Sequence, residues 1–369
     1  MSTHELYAMP SQGGWVVPAS GASRFSWEYG EGRDRLLALY QKGKDKQWDA
    51  NTRIDWDLPV DPANPLGFPD DSVPIYGSAQ WHRLDRATKD EVRRHVASWQ
   101  FSQFLHGEQG AAICSARIVE SVPDLDAKFY AATQTMDEAR HTEIYARFLQ
   151  EKVGLVYPVN ADLQALLGDT LTDSRWDMPY LGMQVLVEGL ALAAFGLLRD
   201  LTPAPLPKQI LAYVMQDEAR HVAFGRLALK DYYAQLTEAE RDEREEFVVE
   251  GCYLMRERFR GQEVWENFGF DVAACNAHVD TAPYMQMFRT LLFSRIVPCM
   301  RDIGLFGPRV RRAYEDLGVL EMVAADLDAL MRADEELAED LDRRRAARDA
   351  VELARRVAEV DATIAEGAG

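Results

Sequence analysis

The pentapeptide Asp-Glu-Ala-Arg-His occurs twice, at Asp137 to His141 and, eighty residues later, at Asp217 to His221. A lone glutamate stands thirty residues before the glutamate of each copy, Glu108 before Glu138 and Glu188 before Glu218, and each lies in an apolar stretch. On a helix, Glu-x-x-His places both side chains on one face. Glu108, Glu138, His141, Glu188, Glu218 and His221 therefore supply four carboxylates and two imidazoles, the donor set with which a four-helix bundle holds two metal ions in its interior. Four glutamates balance two divalent cations when both histidines are neutral. Without metal, four buried carboxylates would repel one another and take up protons. Oxygen and imidazole donors suit iron or manganese. A single Glu-x-x-His is commonly a surface pair. Two identical copies, each with a matched glutamate in an apolar helix, are a far more specific signal.

Two helical hairpins would position these groups. A turn near Val122 lies fourteen residues after Glu108 and sixteen before Glu138, and a turn near Pro203 lies fifteen from both Glu188 and Glu218. At about 1.5 Å rise per residue, each pair of glutamates returns to nearly one height, so both hairpins deliver their ligands at one level. Helix signals bracket this arrangement. Thr88 and Glu91 form a capping box before a helix reaching Glu120. Pro123 opens the next, and Gly154 ends it. A third runs from Arg175 to Arg199. A fourth follows Pro203, Pro205 and Pro207 and ends near Gln235. Thr237 and Glu240 cap a fifth helix to Trp265, and a sixth covers Tyr284 to Ile303. Strand signals are negligible. The fold class is all-α, a four-helix bundle with further C-terminal helices. Residues 1–83, broken by prolines, read as an extended N-terminal arm with a short helix near Arg33 to Lys46; residues 84–303 form the helical core, and 304–369 a C-terminal extension ending in a charge-rich helix.

Composition narrows the function classes. The 369 residues are apolar enough for a sizeable core, and a net charge of −19 argues against nucleic-acid binding, which needs a basic face. Cys114, Cys252, Cys275 and Cys299 are scattered without a Cys-x-x-Cys pair, so iron–sulfur, zinc-ribbon and disulfide frameworks lack support and a reducing cytoplasm is expected. Residues 1–30 lack a secretory pattern. Leu181 to Leu198 is apolar enough to suggest a membrane span, but its single charge, Glu188, reads better as a ligand on a buried core helix.

At these residues the chain resembles the ferritin-like superfamily of non-haem di-iron carboxylate proteins. The pattern Glu, Glu-x-x-His, Glu, Glu-x-x-His is met in full. The Asp-Glu-x-Arg-His form is similar to the hydroxylase subunits of bacterial multicomponent monooxygenases, as are Gln47-Trp48 and Ile54-Asp55-Trp56. The resemblance implies that Asp137 and Asp217 orient the ligand histidines through their second nitrogens, with Arg140 and Arg220 pairing with those aspartates. It implies two Fe ions, with Mn/Fe as an alternative, and O2 as co-substrate. Tyr145, four residues after His141, corresponds to the radical tyrosine of ribonucleotide reductase small subunits; the competing reading is an ordinary core tyrosine. Two positions depart from relatives. Multicomponent hydroxylases carry Thr where Leu192 stands, and arylamine N-oxygenases carry an additional His ligand where Val214 stands.

The expected activity is a monooxygenase that hydroxylates or N-oxygenates a small organic substrate. No flavin, nicotinamide or iron–sulfur fingerprint is present, so electrons would come from a separate reductase or ferredoxin, or from the substrate. A homodimer is expected. The alternatives are a radical or two-electron oxidase using Tyr145, and iron storage or peroxide detoxification. Small Gly107, Gly110 and Ala111 beside Glu108 either leave room for substrate or allow close helix packing.

Overall fold

Asp85 starts the first long helix by accepting a hydrogen bond from the Thr88 backbone N–H, so the cap lies three residues before the Thr88–Glu91 pair that the sequence suggested. The structure, a computed structural model, describes residues 15–18, 22–26 and 33–367. After a short α1 (Asp34–Asp45), four long helices dominate: α2 (Arg86–Ser121), α3 (Leu125–Arg147), α5 (Asp177–Leu201) and α6 (Pro205–Tyr233), with α4 (Ala161–Thr172) packed against α2, α5 and the later helix Glu238–Glu257. No strand occurs among the described residues. The pairs α2–α3 and α5–α6 are antiparallel hairpins. Their turns fall at Val122–Asp124, where Asp124 caps α3, and at Thr202–Ala204, where Pro205 opens α6 in a position that needs no backbone N–H.

Two stretches of these helices are π-helical. Phe148–Val153 continues α3 to Gly154, whose φ of 68° ends it. Tyr180–Val187 forms the part of α5 immediately before Glu188. A π segment inserts one extra residue per turn and occurs often at functional sites. The α5 helix is the one described helix long and apolar enough to cross a membrane, and most of it is buried inside the bundle.

The later elements are more broken than the sequence suggested. The helix capped by Thr237 and Glu240, α7 (Glu238–Glu257), has the expected capping box, but it stops at a kink around Phe259 and Gly261, where Gly261 takes φ 65°. The expected sixth helix is divided into Pro283–Leu291 and Ile296–Asp302 by a tight turn at Leu292–Ser294. Two helices the sequence reading did not separate are Val272–Thr281 and Pro308–Asp316. The final helix, Leu327–Gly367, is tied to the core near its start. Asp334 is buried and bridges Arg199 of α5 at 3.0 Å and Arg295 at 2.7 Å. Further along, Glu335 and Glu339 pair with Lys42 and Lys46, and Asp342 with Arg53, so the tail clasps the N-terminal segment against α6.

Candidate metal centre

Each hairpin brings its ligands to one level of the bundle. Glu108 lies on α2, Glu138 and His141 on α3, Glu188 on α5, and Glu218 and His221 on α6; all six are buried. Their donor atoms form two clusters, each within the reach of one ion: Glu108, Glu138, His141 and Glu218 in one, and Glu138, Glu188, Glu218 and His221 in the other. Glu138 and Glu218 belong to both, the arrangement expected of bridging carboxylates. Glu108 with His141, and Glu188 with His221, each belong to one cluster alone.

The two histidines are oriented alike. His141 Nδ1 faces the carboxylates, 3.0 Å from Glu218, 3.3 Å from Glu108 and 3.4 Å from Glu138, while its Nε2 meets Asp217 Oδ2 at 3.1 Å. His221 Nδ1 lies 3.1 Å from Glu138 and 3.4 Å from Glu218, and its Nε2 meets Asp137 Oδ2 at 3.2 Å. The pairing is crossed: the aspartate of each pentapeptide holds the histidine of the other, which locks α3 to α6. An Nε2–H donated to carboxylate leaves Nδ1 as the free lone pair, the form a metal needs.

The arginines complete this buried layer. Arg140 pairs with Asp137 through a short contact and with Asp217 at 2.8 Å; Arg220 pairs with Asp217 through a short contact and lies 3.6 Å from Asp137. Two residues of the N-terminal segment to which the sequence gave no role seal it. Gln47 donates to Asp137 Oδ1 at 2.7 Å and accepts from Arg140 at 2.8 Å, and the Trp48 indole N–H donates to Asp217 Oδ2 at 2.8 Å. The Arg140 guanidinium lies 4.8 Å from the Trp48 ring centre.

The electrostatics show what the cluster lacks without a counter-cation. Burial, then repulsion from Glu218, pushes the Glu108 carboxyl well above its usual range; burial, then Glu138 and Glu218, does the same to Glu188. Burial also disfavours charge on Glu138, but His221 and His141 outweigh it and hold that carboxyl low. Burial opposes the imidazolium of His141 and of His221, yet the carboxylates around them raise both well above the usual histidine range. Burial likewise opposes ionisation of Asp217, and Arg220, His141 and Arg140 overcome it, so this carboxylate is held well below its usual range. Protons thus collect on Glu108, Glu188, His141 and His221, while Asp217 stays ionised beneath them. Several inward atoms also have no hydrogen-bond partner: Glu138 Oε2, Glu188 Oε2, both Glu218 oxygens and His221 Nδ1. Buried polar atoms left unpaired are costly. Converging carboxylate and imidazole atoms of this kind fit a pair of divalent cations.

Sequence reasoning missed two further neighbours. Gln134 lies one turn before Glu138 and donates its amide to Glu138 Oε1 at 3.0 Å and Glu188 Oε1 at 2.7 Å. Gln184, one turn before Glu188, donates to Gln134 Oε1 at 3.4 Å. Tyr145 is fully buried, with ring centres of Phe101, Phe104 and Phe195 at 5.7, 5.9 and 5.9 Å, and its hydroxyl has no hydrogen-bond partner. Burial, then the charges of Glu108, Glu218 and Glu138, pushes this phenol well above its usual value. Gly110 is a packing glycine: a Cβ there would come within 2.7 Å of Leu167 on α4. The other histidines stand apart from the cluster; buried His95 bonds Tyr157, while His106 and His278 bond backbone carbonyls of Tyr157 and Tyr76. Exposed His82 ends a short helix, and His4 lies outside the described residues.

The family of p-aminobenzoate N-oxygenase AurF matches this chain over residues 31–304. The chain belongs to that family. It is an oxidoreductase, an O2-activating non-haem di-iron oxygenase of small organic substrates. Among solved structures, the dimanganese(II)-NrdF of Streptococcus sanguinis is similar in fold, with 15% identity over 78% of this chain and 98% of its own and a TM-score of 0.51. A protein with aldehyde deformylating oxidase activity from Synechococcus aligns with 16% identity over 61% of this chain and 97% of its own, at a TM-score of 0.46. The likeness to the NrdF structure shows the ferritin-like fold. No curated protein matches the chain.

Proposed function

We propose that Glu108, Glu138, His141, Glu188, Glu218 and His221 bind two iron ions, and that this chain inserts oxygen into a small amine, an aromatic amine being the class its family favours. The observation that carries the reading is the buried six-group cluster with both imidazoles turned inward and clamped from behind by Asp217 and Asp137. When bound, the metal pair supplies O2 activation. The chain's part is to orient donors, exclude water and keep charge balanced. Asp137 and Asp217 fix the tautomer of each histidine, Arg140 and Arg220 pair with those aspartates, and the two guanidinium groups help keep Asp217 ionised. The aromatic wall of Phe101, Phe104, Tyr145 and Phe195 keeps one side of the cluster dry.

Tyr145 serves as part of that wall. No group accepts its phenolic proton, which makes loss of a proton with an electron unfavourable there. Val214, where arylamine N-oxygenases resembling this chain carry a histidine ligand, is fully buried and apolar, so the cluster here rests on six ligands. Electrons reach the site from a separate reductase or ferredoxin. The four buried free thiols suit a reducing cytoplasm, and the protein works as a homodimer.

Iron-loaded protein supplied with a chemical reductant, O2 and p-aminobenzoate tests the reading by mass spectrometry. Products in which the amine has become a hydroxylamine (one oxygen gained) or a nitroso or nitro group (one or two oxygens gained and two hydrogens lost), labelled from 18O2, support it. Ring-hydroxylated product alone would move the assignment to a hydroxylase. Tight binding of iron without oxidation of any amine would remove the proposed substrate class.

A further inference from the structure

The two halves of the site are related by the eighty-residue repeat, and comparing them position by position shows where they differ. Glu108 corresponds to Glu188, Glu138 to Glu218, His141 to His221, Asp137 to Asp217 and Arg140 to Arg220. The turn before each motif glutamate breaks the match: Gln134 in the first copy answers to Val214 in the second. The turn before each lone glutamate breaks it too, Phe104 answering to Gln184, and Tyr145 answers to Gly225. Many other positions differ between the copies, but these three lie around the cluster: the two amides stand on the Glu188 side, and Tyr145 with Phe104 stands on the Glu108 side.

The contacts show that these differences are coordinated. Gln134 Nε2 donates to Glu188 at 2.7 Å and to Glu138 at 3.0 Å. With its nitrogen so engaged, its oxygen must be the acceptor toward Gln184, which fixes the orientation of both amides. Gln184 has the space it occupies because residue 225 is glycine: a Cβ on Gly225 would stand 2.6 Å from the Cβ of Gln184. On the other side Tyr145 fills the corresponding volume against Phe104. Gln134 and Gln184 are both buried completely. Glu108 lies 3.3 Å from His141 Nδ1 and has no amide in the corresponding place.

We propose that Gln134 is a positioning residue that makes the two metal positions unequal. Held by Gln134 and backed by Gln184, Glu188 is the fixed end ligand. Glu108, between His141 and an apolar wall, is the end ligand free to change its coordination. The apolar Glu108 side is then the side from which a ligand exchange proceeds. This inference rests on the six-ligand metal reading given above, and concerns how those ligands are held.

The test is a titration of metal-free full-length protein with Mn(II) under anaerobic conditions, reading free Mn(II) by electron paramagnetic resonance. Wild-type protein should bind two ions in two separate steps. Gln134→Met keeps length and burial but removes the amide, and should weaken one step about 10–100-fold, the usual effect of removing a group that orients a ligand, and leave the other step in place. Val214→Leu, at the repeat-related position, should leave both steps as in wild type. Thermal unfolding of the metal-free variants separates a folding defect from a binding effect, since a purely structural role for Gln134 would lower stability without selecting one step. Unchanged binding in Gln134→Met, equal weakening of both steps, or two equivalent sites in the wild type would overturn the inference while leaving the metal reading intact. Wild-type protein that takes up no Mn(II) and no Fe(II) would overturn the metal reading and this inference with it.

Discussion

Asp217 is the residue whose replacement should reveal most about how the site is held. Its carboxylate receives His141 Nε2 at 3.1 Å, Arg140 at 2.8 Å, the Trp48 indole at 2.8 Å and a short contact from Arg220, with no exposure to solvent. Asp217→Asn keeps the shape and removes one of two negative charges that balance two buried arginines. Leaving a buried cation without its partner costs about 3–5 kcal/mol, so urea unfolding of the metal-free protein should show a loss of that order. Loss of the carboxylate behind His141 should also weaken the metal position that contains His141 by about 10–100-fold, equivalent to about 1.4–2.7 kcal/mol. Because the pairing is crossed, Asp137→Asn should act instead on the position that contains His221. Anaerobic Mn(II) titration combined with urea unfolding measures both effects. An Asp217→Asn protein with the wild-type unfolding midpoint and two unaltered binding steps would refute the reasoning.

Gly225→Ala should be destabilising by about 1–3 kcal/mol, the usual cost of overpacking, because the added methyl would lie 2.6 Å from Gln184; thermal unfolding checks it, and a neutral result would show that α5 and α6 can move apart there. Tyr145→Phe should alter stability by no more than about 1 kcal/mol, since a hydroxyl without a partner contributes little, and should leave metal loading and amine oxidation in place; abolished turnover in fully loaded protein would show that the phenol takes part in the reaction. Metal affinity should rise with pH through the range above the ordinary carboxylate and histidine values, with release of protons. Burial and neighbouring carboxylates keep protons on Glu108 and Glu188, and the surrounding carboxylates keep them on His141 and His221, so incoming ions must displace them and lower pH favours the metal-free form. Calorimetry in buffers of different ionisation heat reads the released protons, and an affinity flat across this range would contradict the charge assignment.

The ligand helices were legible in the sequence because a repeat, a fixed i,i+3 spacing and matched distances to two turns all agree on one geometry. The six proposed ligands accordingly meet in two overlapping clusters. The crossed aspartate–histidine pairing was not legible, because local spacing says which face a side chain shares and nothing about which helix it meets. Gln134 and Gln184 carry no motif of their own, and because the two copies differ at nearly every position outside the pentapeptides and the lone glutamates, nothing in the sequence singles them out. The π segment before Glu188 is also invisible in a purely apolar run, where the loss of one residue of phase leaves no mark on hydrophobic periodicity. Helix α4 was absorbed into a connection although Asn160 caps it and Leu163, Leu166, Leu167 and Leu171 line its buried face. The splitting of the helix expected over Tyr284 to Ile303 follows from tertiary packing of Leu292 and Phe293, both buried in the turn.

Iron content and Mössbauer spectra of protein loaded anaerobically with 57Fe(II), before and after exposure to O2, test the central claim most directly. The account predicts about two ions per chain, in two distinguishable high-spin ferrous environments, both converted on exposure to O2. Iron that binds at one ion per chain or fewer, or that stays ferrous in the presence of O2, would contradict it.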